Sequence, residues 1–216
     1  MCSNYRNISG KFIQGVDVIS GRMKYEIDIY IGGIDEAGRG PLAGPVTAAC
    51  VVFPKGYTNT QINDSKKLSE EKRKILAPQI KNDALAWSVV AVGHRRVDAL
   101  NIRNATNLAM RLAAIRVIRK LESPVHFLVD GNMRILEIES QETIIKGDEK
   151  EVTIGAASIL AKTYRDHLME LLAKKYLHYG LEIHKGYPTK KHKELIGHFG
   201  PCNIHRRTFS GVKEYL

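Results

Sequence analysis

Apolar positions along this chain switch between a strand-like and a helix-like period, and the switches lay out its elements. Asp28 to Ile34 (DIYIGGI) is a β-type run that ends where it meets two acids, Asp35 and Glu36. After a Gly/Pro-rich turn, Val46 to Phe53 is an unbroken apolar run, the pattern of a buried strand. Asn63 to Leu68 reads as a polar loop. Ser69 then caps a helix with Glu70 and Glu71 in its first turn, where the dipole favours carboxylates, and Pro78 is expected to kink or end it. Leu85 to Val92 is a third strand. Ala105, Leu108, Leu112 and Ile115 recur at helical spacing on one long helix. Val125 to Val129 is a short strand closing on Asp130-Gly131, and Glu142 to Lys146 is a further strand candidate. Ala156 to Tyr176 forms a second long helix, apolar at Ile159, Leu160, Leu168, Leu171 and Leu172. A last helix around Lys191 to His198 stops at Gly200-Pro201. Residues 1–25 are an unpatterned polar lead-in, and residues 26–216 form one domain with a short helical C-terminal extension. Strands first, then strands interleaved with helices, predict an α/β fold: a mixed sheet with helices packed on it.

Composition narrows the class. A chain of 216 residues, 44% hydrophobic and 26% charged, is ordinary for a globular protein and excludes collagen and wholesale disorder. No apolar run approaches the ~20 residues that a membrane helix needs. Met1 to Gly15 holds no apolar signal core, so a cytoplasmic protein with no membrane partner is expected. The 33 basic residues against 23 acidic ones give a net charge of +10. That excess suits a polyanionic partner such as nucleic acid. A merely solubilised surface would carry it too, and charge alone does not choose. The three cysteines, Cys2, Cys50 and Cys202, are far apart and form no Cys-x-x-Cys pair. Cys50 sits in an apolar run as a small buried hydrophobe. Cys202 and His205, with His192 and His198 upstream, lack the second cysteine cluster of a structural zinc site.

The acids are better placed. Asp35-Glu36 follows one apolar strand and Asp130 ends another, and strand ends of an α/β sheet line the crevice where ligands bind. Asp before Gly is also a common turn former, so Asp130 has two readings. Lys162 and Asp166 are four apart on one helix face, which alone predicts a surface ion pair worth a few tenths of a kcal/mol. Carboxylates gathered from separate elements would repel without a counterion. Magnesium or manganese with oxygen ligands supplies one, and two such ions ~4 Å apart serve phosphodiester cleavage. Neighbours on a regular strand point to opposite faces, so Asp35 and Glu36 share a site only if the strand ends or bulges there.

The segment Asp35-Glu36-Ala37-Gly38-Arg39-Gly40-Pro41-Leu42-Ala43-Gly44-Pro45 is not a dinucleotide fingerprint: its glycine spacing is too long and a β-type run follows it. With Asp64-Ser65-Lys66-Lys67-Leu68-Ser69, Val129-Asp130-Gly131, Lys146-Gly147-Asp148, Ala156-Ala157-Ser158-Ile159-Leu160-Ala161-Lys162, Arg165-Asp166, His184-Lys185-Gly186-Tyr187-Pro188-Thr189 and His205-Arg206-Arg207-Thr208-Phe209, it resembles ribonuclease HII in family order. The resemblance runs from about Ile31 to about Val212. The Gly-Arg-Gly form is similar to type HII rather than type HIII. Pro188 stands where glycine also occurs in the family, and Cys202-Asn203 replaces a more usual Ser-Pro-like pair.

The resemblance implies a ribonuclease H-like mixed five-stranded sheet flanked by helices. It implies an endoribonuclease that hydrolyses the RNA strand of RNA/DNA hybrids. It also implies incision 5′ to single ribonucleotides embedded in duplex DNA, leaving 3′-hydroxyl and 5′-phosphate ends. Asp35, Glu36, Asp130 and Asp166 match the family's catalytic, metal-binding carboxylates, for two Mn2+ or Mg2+ ions, with Asp35 expected between both. Gly38, Arg39 and Gly40 match the loop that reads the ribose 2′-hydroxyl, the group that tells RNA from DNA. Tyr187 matches the tyrosine that stacks on the next, deoxy, sugar. Lys66, Lys162, Lys185 and Thr189 are expected phosphate contacts, which position a duplex without reading its sequence. A monomer is expected, and Val212 to Leu216 shows no motif for docking a sliding clamp. Two rivals share parts of this pattern: a ribonuclease H-like nuclease without 2′-hydroxyl selectivity, and a basic binding protein without chemistry.

Overall fold

The computed structural model describes residues 29–62 and 67–216, so the expected lead-in, 1–25, lies outside the described residues. Five strands form one mixed sheet in the order β3-β2-β1-β4-β5. The central strand β1 (Tyr30–Ala37) runs antiparallel to β2 (Val46–Val52) and parallel to β4 (Val125–Asp130). β3 (Ala86–Val92) extends the antiparallel side and β5 (Gln141–Ile144) the parallel side. The helices are α1 (Glu70–Asp83), α2 (His94–Leu121), α3 (Val152–Ala173), α4 (Leu181–His184) and α5 (Lys190–Phe199). This is the five-stranded mixed sheet flanked by helices that the motifs implied.

Every residue of β2 is buried because helices cover both of its faces, which explains its unbroken apolar run. On one face Ile34, Ala48, Cys50 and Val52 pack with Ala109, Met110, Ala113 and Val117 of α2. On the other, Ala37, Ala49 and Val51 meet Leu76 and Ile80 of α1 and Ala156, Ala157 and Leu160 of α3. Small residues let α3 lie close to β1. A Cβ on Gly33 would fall well inside van der Waals contact of the Thr153 and Ile154 backbone. A third cluster joins Leu42 and Ala43, just after β1, to Met169, Leu181, Ile196, Ile204 and Val212, so the C-terminal segment packs against the glycine loop.

Four local expectations change. β1 does not stop at Asp35-Glu36; it continues to Ala37 because β2 pairs with it as far as Thr47. Pro78 lies inside α1 without ending it. It sits on the exposed side, where water can serve the carbonyl that loses its donor, while Leu76, Ala77 and Ile80 anchor the inner side. α2 begins well before Ala105 and is broken at Asn101 (φ 63°, ψ 164°). The Asn101 side chain accepts from the Asn104 N–H at 3.1 Å, so it starts the second segment as a cap. α3 begins four residues early, at Val152, with no side-chain cap to mark it. Among the described residues no helix is long and apolar enough to cross a membrane.

Candidate active site

The register between the parallel strands brings two acids together. Ile34 is opposite Val129, so one step further sets Asp35 beside Asp130, at the C-terminal ends of β1 and β4. Level neighbours of a parallel pair point to the same face. A third carboxylate arrives from the turn after β5. Lys146 turns the chain with φ 56°, the Gly147 N–H donates to Asp130 Oδ1 at 2.7 Å, and Asp148 follows. One oxygen each from Asp35, Asp130 and Asp148 lie within 4.8 Å of one another. Asp35 and Asp148 are about as buried as the core, at 4% and 5% exposure.

Asp35 accepts the Ser158 hydroxyl of α3 and, at 2.6 Å, the Glu36 N–H. These bonds do not offset its surroundings. Burial first, then the charges of Glu36 and Asp130, push its carboxyl well above the usual carboxylate range. Crowded oxygen donors of one sign are a cradle for a hard divalent cation, and the donor set suits magnesium or manganese rather than zinc.

The other two expected carboxylates stand apart from this trio. Alternation along β1 sends Glu36 to the α2 face, opposite Ala48, where Arg39 Nη1 is 3.4 Å from Glu36 Oε1. Asp166 lies two helical turns beyond Ser158 on the same side of α3. It is no surface pair: it is 3% exposed, 2.7 Å from Lys162 Nζ and 3.5 Å from Arg73 Nη2. Two cations thus balance its buried charge.

The Gly38-Arg39-Gly40 loop follows directly. Gly38 is buried with φ +94°, a conformation that favours glycine, and a Cβ there would strike Arg165. Arg39 and Gly40 are exposed, and a Cβ on Gly40 would meet open space. Tyr187 is half-exposed beside the same loop, its ring 5.5 Å from Lys162 Nζ and 5.6 Å from the Arg165 guanidinium carbon. Thr189 caps α5, accepting the His192 N–H at 3.2 Å. Lys185, an expected phosphate contact, is drawn inward in this structure. It is 9% exposed, donating to Glu170 at 2.9 Å and to the Glu182 carbonyl at 2.8 Å. Lys66 lies outside the described residues.

Asp148 and Ser158 carried no separate signal in the sequence, although both sit in segments that resemble the family. A 3-10 turn and a helix face bring them to the strand ends, and neither is visible as periodicity. Cys202 and His205 make a hydrogen bond, Sγ to Nδ1 at 3.1 Å, and the carboxylate trio is the group suited to a metal among the described residues.

Comparison with known proteins agrees with this geometry. The family model described as Ribonuclease HII matches residues 32–212. A curated relative named Ribonuclease HII, from Pelodictyon phaeoclathratiforme, is 49% identical over 185 residues, covering 82% of this chain and 87% of its own. The crystal structure of the ribonuclease H2 from Pyrococcus horikoshii OT3 superposes with TM-score 0.68 at 25% identity, over 87% of this chain and 97% of that one. The RNase HII of Archaeoglobus fulgidus, solved in a PCNA:RNase HII complex, gives TM-score 0.64 at 27% identity, over 82% of this chain and 91% of that one.

Proposed function

The chain belongs to the ribonuclease HII family, an endoribonuclease family of hydrolases, and from that premise we propose that it cuts RNA strands paired to DNA and incises duplex DNA 5′ to a single embedded ribonucleotide. The observation that carries this reading is the convergence of Asp35, Asp130 and Asp148 at the strand ends, with the Gly38-Arg39-Gly40 loop and Tyr187 beside it.

In the proposal Asp35, Asp130 and Asp148 form the metal cradle, and Glu36 and Asp166, the other two expected ligands, join it only by turning from Arg39 and from Lys162 and Arg73. Those residues would hold divalent ions, which would supply the Lewis acidity for water attack and for stabilising the leaving oxygen, with 3′-hydroxyl and 5′-phosphate ends as the proposed products. Gly147 orients Asp130 through its N–H, and Ser158 orients Asp35. The exposed Arg39 and Gly40 approach the ribose, and Arg39 is free to turn from Glu36 to a phosphate. Tyr187 supplies the flat face for the neighbouring sugar. Lys162 balances Asp166 in the resting site, and in the proposal it turns to a substrate phosphate. The proposal includes a monomeric, cytoplasmic enzyme.

The test is one labelled DNA duplex with a single ribonucleotide beside its all-DNA twin, with magnesium, manganese or chelator. A cut 5′ to the ribonucleotide, only with metal and only in the first duplex, is the expected result. Cutting of both duplexes would keep the metal site and discard the 2′-hydroxyl reading. Cutting of neither would discard the chemistry.

A further inference from the structure

Two arginines, Arg165 and Arg206, are fully buried, and among the described residues neither forms an ion pair with a carboxylate. Their donors go instead to backbone carbonyls of the loops proposed to read the substrate. Arg206 donates from Nε to Gly44 O at 3.1 Å, from Nη1 to Arg39 O at 2.9 Å and from Nη2 to Gly38 O at 2.6 Å. Arg165 donates to Pro45 O, Lys185 O and Ala43 O at 3.0, 3.0 and 3.2 Å. A buried guanidinium gives up its hydration, and its three carbonyl bonds replace that only while the loop keeps this shape.

The segment bearing Arg206 is fixed from outside the loop. The Arg206 N–H donates to Leu42 O at 2.8 Å, and the Arg207 and Thr208 N–H groups donate to Asp98 of α2 at 2.9 and 3.0 Å. The Phe209 ring lies 5.0 Å from the Arg206 guanidinium carbon.

The consequence lies on the far side of each peptide. In a planar trans peptide the C=O and the next residue's N–H point in opposite directions. Drawing Gly38 O and Arg39 O inward onto Arg206 therefore turns the N–H groups of Arg39 and Gly40 outward. Those are the two exposed residues of the loop, and neither N–H has a backbone acceptor among the described residues.

We propose that Arg206 is a positioning residue for substrate selection: by holding the Gly38 and Arg39 carbonyls it aims the Arg39 and Gly40 N–H groups at the ribose 2′-hydroxyl. The proposal rests on the reading of that loop given above. Arg165 holds the adjoining carbonyls and, through Lys185 O, ties the same loop to the Tyr187 segment. Lysine cannot replace Arg206, because one ammonium does not span three carbonyls in the plane of a guanidinium.

The test compares the full-length protein with R206K on the single-ribonucleotide duplex and its all-DNA twin. Turnover is measured with magnesium, duplex affinity with Ca2+ in its place, and folding by thermal melting. R206K is expected to melt cooperatively and to bind the ribonucleotide duplex with KM little changed, while kcat falls about 100-fold, the scale of a ~1 Å misplacement. Unchanged kcat in folded R206K would overturn the proposal, and so would a loss that merely tracks the unfolded fraction. If R206K does not fold, the wild-type amide resonances of Arg39 and Gly40 decide. They should shift on adding the ribonucleotide duplex with Ca2+ and not on adding the twin; equal shifts would overturn the proposal. A wild-type enzyme that cuts both duplexes would instead refute the loop reading, and the role of Arg206 with it.

Discussion

Acid should weaken this fold through two histidines. His192 and His205 are buried, at 0% and 1% exposure, with their Nε2 atoms 3.1 Å apart. The hydrogen-bond network assigns their protons. His192 Nδ1 faces the Tyr187 carbonyl at 2.9 Å, so Nδ1 carries the proton and Nε2 accepts. His205 then donates from Nε2, and its Nδ1 accepts the Cys202 N–H at 2.9 Å. Both rings are neutral in this chain, and a further proton would set N–H against N–H. Burial is the largest reason that each pKa falls from 6.5 to about 4. A folded pKa below the unfolded value means that the unfolded chain takes up protons first. The stabilisation is therefore complete above about pH 6.5 and is lost as pH falls toward 4. A shift of this size corresponds to about 3 kcal/mol per site, with a slope of at most ~1.4 kcal/mol per pH unit. The assay is urea unfolding of wild type and His192→Gln between pH 8 and 4.5. The variant should be less stable at pH 8 but lose stability less steeply below pH 6.5. Parallel curves for the two proteins would refute the argument.

Three other outcomes are expected. Asp35→Asn should abolish turnover yet raise the melting temperature in chelator, because it removes a buried carboxylate crowded by Glu36 and Asp130; a lower melting temperature would make Asp35 structural. Asp148→Asn should weaken Mn2+ binding, read by calorimetry and by the metal-induced melting shift, about 10- to 100-fold if Asp148 belongs to the cradle. Gly33→Ala should cost about 3 kcal/mol in urea unfolding, the upper range for overpacking, because its Cβ meets the backbone of α3 rather than a movable side chain.

The catalytic candidates were legible unevenly, for physical reasons. Asp35 and Asp130 stood out because an acid ending an apolar run is an anomaly that sequence displays directly. Asp166 looked like half of a surface pair with Lys162, since i,i+4 spacing says nothing of burial; Arg73 and the packing of α3 make it a buried one. Asp148 sat unremarked in Lys146-Gly147-Asp148 because its place depends on a positive φ at Lys146 and a bond from Gly147 to Asp130. Lys185 read as a phosphate ligand by charge, but Glu170 draws it inward. β1 stays regular through Glu36, so alternation sets its side chain and that of Asp35 on opposite faces of the sheet, a relation that only the pairing with β2 reveals.

By itself the sequence determined the periodic elements, the α/β class and the family, because periodicity, turn residues and ordered motifs are local properties of the chain. Only the tertiary structure decided which face each acid occupies, which cation is buried, and how Arg206, far along the chain, grips the carbonyls of Gly38 and Arg39. Those depend on register, on close approach at glycines and on desolvation. Each is a relation between distant segments that exists only once the chain has packed.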